Sequence, residues 1–414
     1  MTWKHNISMK SIALIILFTL LAMKVTDLAL LKYLPQSEYL FPPNSKALYK
    51  TREFDALASI NRFGFRGNET EITEGQILVI GDSFTFGWGL KDDEVWARLL
   101  ENSLKSSGLD LKVYNLGVPG TDTSFHLEVA GTYVRQLKPK FVVISVLMGD
   151  DFAQVLMKRL AEQSTLRQRA GSPSLPYWRT TYEFAKSNSI ELFPGLYRFY
   201  AEARYFNFRS RIKPGGSGRS IDDQAVFFVT QSWAEESSRI VRDKKLSLPD
   251  DILERAAAGD VNPALLSAAA SAARSAAAHP TREVLEKVKS AWRDLLVDMT
   301  RKFSGISSLT RNFGGRLIVF SMPNGQFVNS EVTKNYRKYG SKVTEDNLVT
   351  YKHETMLEQI AKSSDALFIP SLAEFRGYRG GELFFPFDGH PTPEGSGLLA
   401  NIIAKTLVSQ TSIR

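Results

Sequence analysis

The chain has 414 residues, 43% of them hydrophobic and 23% charged, with a formal net charge of +8. That composition excludes general disorder and suits one large or two moderate globular domains. The absence of cysteine removes a thiol nucleophile, a disulfide framework and a cysteine metal site. No His-x-x-His or His-Glu-x-x-His spacing supports a metal mechanism, and no cofactor is expected.

At the N-terminus, Lys4, His5 and Lys10 precede the apolar run Ile12–Met23, and a second apolar stretch spans Leu28–Leu34. A basic flank followed by an apolar core is the pattern of an export signal. No convincing small-x-small cleavage site follows, so the expectation is an uncleaved signal-anchor helix over about residues 9–34. Its basic flank would stay cytoplasmic and the body would face the periplasm from the inner membrane, single-pass. A cleaved signal peptide is the other reading, because a span needs roughly 20 apolar residues and the uninterrupted run is shorter. Residues 1–40 are thus expected to form anchor and linker, and a chain exported in this way has little use for nucleic acid.

From Gln76 onward, apolar strands alternate with amphipathic helices. Strands are predicted at Gln76–Ile80, Lys112–Asn115, Phe141–Leu147, Arg316–Ser321 and Ala366–Ile369. Phe141–Leu147 is apolar but for Ser145, as a strand covered on both faces should be. Helices are predicted at Asp92–Lys105, Ser124–Leu137, Glu345–Lys362 and Pro393–Leu407. The alternation predicts an α/β fold: a doubly wound, flavodoxin-like parallel sheet of about five strands with right-handed crossovers. Its two parts would be residues 41–152 and 305–414, with a helical insertion or cap over 153–304.

Within the insertion, Lys158 to Arg219 holds twelve lysines and arginines against four glutamates, interleaved with eleven aromatic rings from Tyr177 to Phe208. Two readings stand: a surface for an anionic glycan or lipid headgroups, or the core and wet face of a small helical cap. Pro214–Gly218 reads as a flexible connector rather than a phosphate cradle. The alanine-rich stretches Ala256–Ala258 and Leu265–Ala278, punctuated by Pro263 and Pro280, and then Thr281–Phe303, read as helices.

The chemistry concentrates at two places. Gly81-Asp82-Ser83 puts a hydroxyl at the end of an apolar strand, where a strand-to-loop corner would leave its amide free to face a ligand. Asp388-Gly389-His390 precedes the last helix. Serine needs a base to take its proton, and histidine needs an acceptor on its other nitrogen to fix its tautomer. Of the five histidines only His390 has a carboxylate two residues before it and a Pro/Gly-rich loop around it. No role is expected for His126, His279 or His353. In open α/β sheets sites gather beyond the carboxyl ends of the strands, and Ser83, Gly117 and Asp150 all follow such ends.

These blocks resemble the GDSL/SGNH hydrolase superfamily, and the likeness extends to Asn61–Gly67, Asn115–Gly120 and Gly149–Phe152. The resemblance implies Ser83 as nucleophile, His390 as general base, Asp388 as orienting acid, and the amides of Ser83 and Gly117 as oxyanion donors. Asp82, Asn61 and Arg66 read as structural. Asp-x-His spacing is closer to that of alginate O-acetylation proteins than to the Asp-x-x-His of many relatives. The family's oxyanion asparagine aligns with Asp150, which can donate only if burial and Asp151 keep it protonated. Otherwise a helix-capping pair is the reading for Asp150 and Asp151.

The resemblance implies a membrane-anchored serine esterase or O-acyltransferase that handles acetyl-type groups on an envelope or secreted polysaccharide. Its partners would be an acylated glycan or small ester, the inner membrane through the N-terminal helix and, in the transfer case, a membrane-bound acyl-donor protein. A lipolytic esterase, lysophospholipase or thioesterase with a membrane-facing lid is a second reading. A glycan-binding protein that keeps the fold without turnover is a third.

Overall fold

Continuous apolar runs dictate the central sheet, because a strand with no polar face must be covered on both sides. The computed structural model describes residues 18–19, 21–29, 40–149, 151–157, 159–160, 226–276, 282–341 and 343–411. The chain divides into two compact units, residues 1–38 with 164–213 and residues 39–163 with 214–414. Of the first unit only a helical stretch within 18–29 is described, where Lys24 Nζ donates to Asp27 at 3.1 Å. No helix among the described residues is long and apolar enough to cross a membrane. Most of the expected anchor over 9–34 lies outside the described residues, as does the basic, aromatic stretch Lys158–Arg219 apart from residues 159–160.

The second unit holds two sheets. The larger comprises β3 (Ile77–Gly81), β4 (Val113–Gly117), β5 (Phe141–Leu147), β7 (Arg316–Met322) and β8 (Leu367–Ile369), in the order β4-β3-β5-β7-β8. Every neighbouring pair is parallel. Counted within this sheet the order is 2-1-3-4-5, the doubly wound arrangement whose strand order reverses between β3 and β5. All of β3, β4 and β5 is buried. Helices Trp96–Ser106 and Pro393–Thr411 pack together, while Arg282–Asn312 packs against both Thr123–Leu137 and Lys352–Ser363. That is what right-handed crossovers produce when the chain winds first one way and then the other.

The smaller sheet was not expected from sequence. In it β1 (Lys46–Lys50) pairs antiparallel with β2 (Asp55–Ser59) and parallel with β6 (Val226–Phe228), giving the order β2-β1-β6. The inward positions of β2 are Ala56 and Ala58, and alanine carries no strand signature.

Boundaries shift where side chains intervene. The helix predicted from Asp92 starts at Trp96, since Asp92 instead anchors the preceding loop by accepting from Ser59 N–H at 3.0 Å and from Arg66. Burial pushes the Asp92 carboxyl up, but the Arg66 guanidinium and the Ser59 amide outweigh it and hold the group below its usual range. The helix predicted over Glu345–Lys362 is a 3₁₀ turn, Glu345–Leu348, followed by a helix over Lys352–Ser363. At that break Arg376 Nη2 takes the carbonyls of Asn347 (2.9 Å) and Thr350 (3.0 Å). The helix expected over Thr281–Phe303 runs from Arg282 to Asn312, almost to β7.

Candidate active site

β3 delivers Ser83 to the carboxyl rim of the large sheet. A one-turn helix, Ser83–Phe86, follows in place of the expected loop. Asp82 caps it, its Oδ1 accepting from Phe84 N–H at 3.0 Å. The turn can lie this close to the sheet because residue 81 is glycine: a Cβ there would stand 2.1 Å from Ser145 Oγ and 2.2 Å from Thr85 Oγ1. Those two hydroxyls bond each other, which explains the lone serine in β5.

Asn115 ties the same turn to β4. Its Nδ2 donates to Thr85 O at 2.8 Å and its Oδ1 accepts from Gly117 N–H at 2.9 Å. Arg66 supports the turn from below, with its guanidinium 5.3 Å from the centre of the Phe86 ring and Nη2 donating to Leu90 O at 2.9 Å. Buried Arg66 and Asn61 are thus loop-locking residues.

The loop before the last helix brings the second half of the site. His390 Nε2 lies 2.7 Å from Ser83 Oγ, and His390 Nδ1 bonds Asp388 Oδ1. The carboxylate fixes the proton on Nδ1, so Nε2 is left as acceptor for the serine hydroxyl. The turn between Asp388 and His390 requires glycine: Gly389 has φ +84°, and a Cβ would meet the Tyr336 hydroxyl at 2.3 Å. Phe84 packs on the imidazole at 4.6 Å, and Trp88 stacks on it at 5.6 Å with 22° between the planes. Trp233, from the insertion, stacks in turn on Trp88 at 6.1 Å. Trp233 therefore braces the His390 ring through Trp88, a contact the sequence did not reveal.

The oxyanion assignment needs correction at Gly117. β4 bonds β3 through Val118 N–H, which donates to Gly81 O at 2.9 Å. Alternation along the strand then turns the Gly117 amide to the other side, where Asn115 Oδ1 takes it. It is not available to a substrate. In the same loop the amide of Gly120 has no acceptor among the described residues, and a Cβ at that position would meet nothing within 4 Å. The Ser83 amide, first in its helical turn, is likewise without an acceptor. Asp150 lies outside the described residues. Asp151 instead closes the end of β5, its Oδ2 accepting from Leu147 N–H at 2.9 Å.

Behind these loops sits His126, fully buried, with Nε2 3.1 Å from Thr121 Oγ1 and Nδ1 3.8 Å from Asp151 Oδ2. Burial pushes its pKa down to about 3, against the pull of the Asp122 carboxylate, so it is a neutral brace. A small apolar cleft of about 30 Å³ lies at the end of β5, lined by Gly149, Phe152, Trp292, His353 and Met356.

Part of the chain is similar to part of one curated esterase. Esterase TesA of Pseudomonas aeruginosa is 33% identical over 75 residues, which are 18% of this chain and 37% of that protein. The chain thus spans little more than a third of the length of the relative it matches. No family model matches. Among solved structures, a lipase/acylhydrolase from Enterococcus faecalis aligns over 81% of this chain and 96% of its own, at 11% identity and a TM-score of 0.36. The psychrotrophic esterase EstA from Pseudoalteromonas sp. aligns over 82% and 100%, at 10% identity and 0.36. The acetyl xylan esterase AlAXEase aligns over 80% and 99%, at 9% identity and 0.34. At these TM-scores the likenesses add nothing to what the site's own geometry supports.

Proposed function

We propose that this protein is a serine hydrolase of the SGNH type that acts on ester bonds. One observation carries the reading: Ser83 Oγ lies 2.7 Å from His390 Nε2 while Asp388 holds the opposite ring nitrogen. In the reaction Ser83 Oγ attacks the ester carbonyl as His390 takes its proton. The tetrahedral oxyanion would be met by the free amides of Ser83 and Gly120. Collapse expels the alcohol, protonated by His390, and leaves an acyl-serine. Water or a sugar hydroxyl then gives its proton to His390 and takes the acyl group, regenerating Ser83.

The preferred substrate is an acetyl-type ester on an envelope or secreted polysaccharide, reached from a membrane-anchored, extracytoplasmic position. The basic flank before the N-terminal apolar run and the Asp-x-His spacing support this finer reading. Transfer to a sugar hydroxyl would bring in a membrane-bound acyl-donor protein. Asp150 bears on efficiency: an ionised carboxylate in the oxyanion position would cost on the order of 10²–10³ in turnover, so Asp150→Asn should raise p-nitrophenyl acetate cleavage.

A fluorophosphonate probe should label the wild type and not Ser83→Ala. Across p-nitrophenyl esters of increasing length, acetate should be cleaved best. Preference for long chains would replace the glycan reading with the lipolytic one, and an unlabelled wild type would remove the hydrolase reading altogether.

A further inference from the structure

Two side chains of the β1–β2 hairpin, Glu53 and Phe54, meet the loop that carries Asp388 and His390. Glu53, in the turn Thr51–Phe54, accepts from Phe387 N–H at Oε1 (2.9 Å) and from Asp388 N–H at Oε2 (2.8 Å). The tip that carries it is itself held. Thr51 Oγ1 accepts from the amides of Glu53 (3.1 Å) and Phe54 (3.3 Å). Arg52 N–H donates to Asp260 Oδ1 of the insertion at 2.8 Å. The Phe54 ring packs edge-on against Phe385 at 5.2 Å.

We propose that Glu53 is a positioning residue, clamping the amides of residues 387 and 388 so that Asp388 keeps His390 aimed at Ser83. The inference rests on the hydrolase reading. Its physical basis is that the Asp388 carboxylate can be no better placed than its own backbone, and that backbone turns through a glycine immediately afterwards. Without Glu53 both amides lose their acceptor.

The groups facing Glu53 are the Asp388 carboxyl, the Arg255 guanidinium, which lies 3.6 Å over the Phe387 ring, and the Tyr339 hydroxyl, which donates to Phe387 O at 3.4 Å. Burial first, and then the Asp388 charge, push the Glu53 carboxyl up to about 7 against the pull of the two amides and Arg255. Above that pH both oxygens are full acceptors. Below it one carries a proton and the grip slackens.

The test uses the full chain as wild type, Glu53→Gln and Glu53→Ala. Fluorophosphonate labelling rate and kcat and KM for p-nitrophenyl acetate are followed from pH 5.5 to 9, beside thermal melts. With loop misplacement of the kind that costs up to about 100-fold, Glu53→Ala should label at least tenfold more slowly. Glu53→Gln, which keeps one acceptor oxygen, should fall between. KM should stay within about twofold while kcat drops. The acidic limb of kcat should be shallower in Glu53→Gln, which lacks the titrating carboxyl. A Glu53→Gln protein with wild-type labelling rate and pH profile overturns the inference, even if its melting temperature is lower. That variant decides the matter if Glu53→Ala does not fold. A wild type that never labels sinks the hydrolase reading and this inference with it, an outcome distinct from equal labelling of all three.

Discussion

Replacing Asn115 by alanine should unfasten the nucleophile turn from the sheet. Asn115 is 3% exposed, Thr85 is fully buried and Gly117 is interior, so water cannot readily replace the lost partner. The substitution removes the 2.8 Å bond to Thr85 O and the 2.9 Å bond from Gly117 N–H. Each orphaned buried group costs about 1–3 kcal/mol, so the loss of two should total about 2–6 kcal/mol. Against a domain stability of roughly 5–15 kcal/mol that is a large fraction. Urea unfolding should show a lower midpoint with an unchanged slope. Below that midpoint the probe should label Ser83 more slowly, because residues 83–86 have lost their tie to β4. Asn115→Asp is an informative companion: it keeps the acceptor for Gly117 but sets an oxygen against the Thr85 carbonyl. A stability loss below about 0.5 kcal/mol for Asn115→Ala would refute the reasoning, since surface substitutions alone reach that size.

Gly81→Ala should destabilise by about 1–3 kcal/mol by overpacking against Ser145 and Thr85, measured by denaturant unfolding. Trp233→Ala should slow Ser83 labelling in protein that still melts cooperatively, because Trp88 loses its stacking partner behind His390. Two buried groups give opposite pH signatures in unfolding measurements. His126 has its folded pKa depressed from 6.5 to about 3, so its contribution is present above 6.5 and is lost at up to about 1.4 kcal/mol per pH unit as pH falls toward 3. His126→Gln should flatten that slope. Glu53 has its pKa raised from 4.5 to about 7, so its contribution is present below 4.5 and declines as pH rises through 7. Glu53→Gln should therefore gain on the wild type in stability between pH 5 and 8.

Much of this was written in the sequence where burial is absolute. Phe141–Leu147 was read to the residue, and β3, β4, β7 and β8 to within two residues at either end, because strands covered on both faces leave uninterrupted apolar runs. Ser83 and His390 were paired from the Asp388-x-His390 pattern and the resemblance, and the fold brings them to one rim of the sheet across 307 positions. Strand β2 escaped notice since its buried positions are alanines, and Ser330–Lys338 escaped because its sequence is nearly all polar. Gly117 was misassigned because a motif gives residue order, whereas the direction an amide points depends on strand pairing. Glu53 and His126 carry no local signal: a carboxylate in a turn and a histidine on a helix become informative only once their distant partners are known.

The bond between Ser83 and His390 spans 307 positions of chain. During synthesis the Ser83 hydroxyl emerges well before His390, and the helix Pro393–Thr411, which docks on Trp96–Ser106, follows both. A molecule cut before His390 would carry a mute serine. Reactivity toward the phosphonate should thus switch on only once these distant segments have docked, making it a reporter of folding as well as of chemistry.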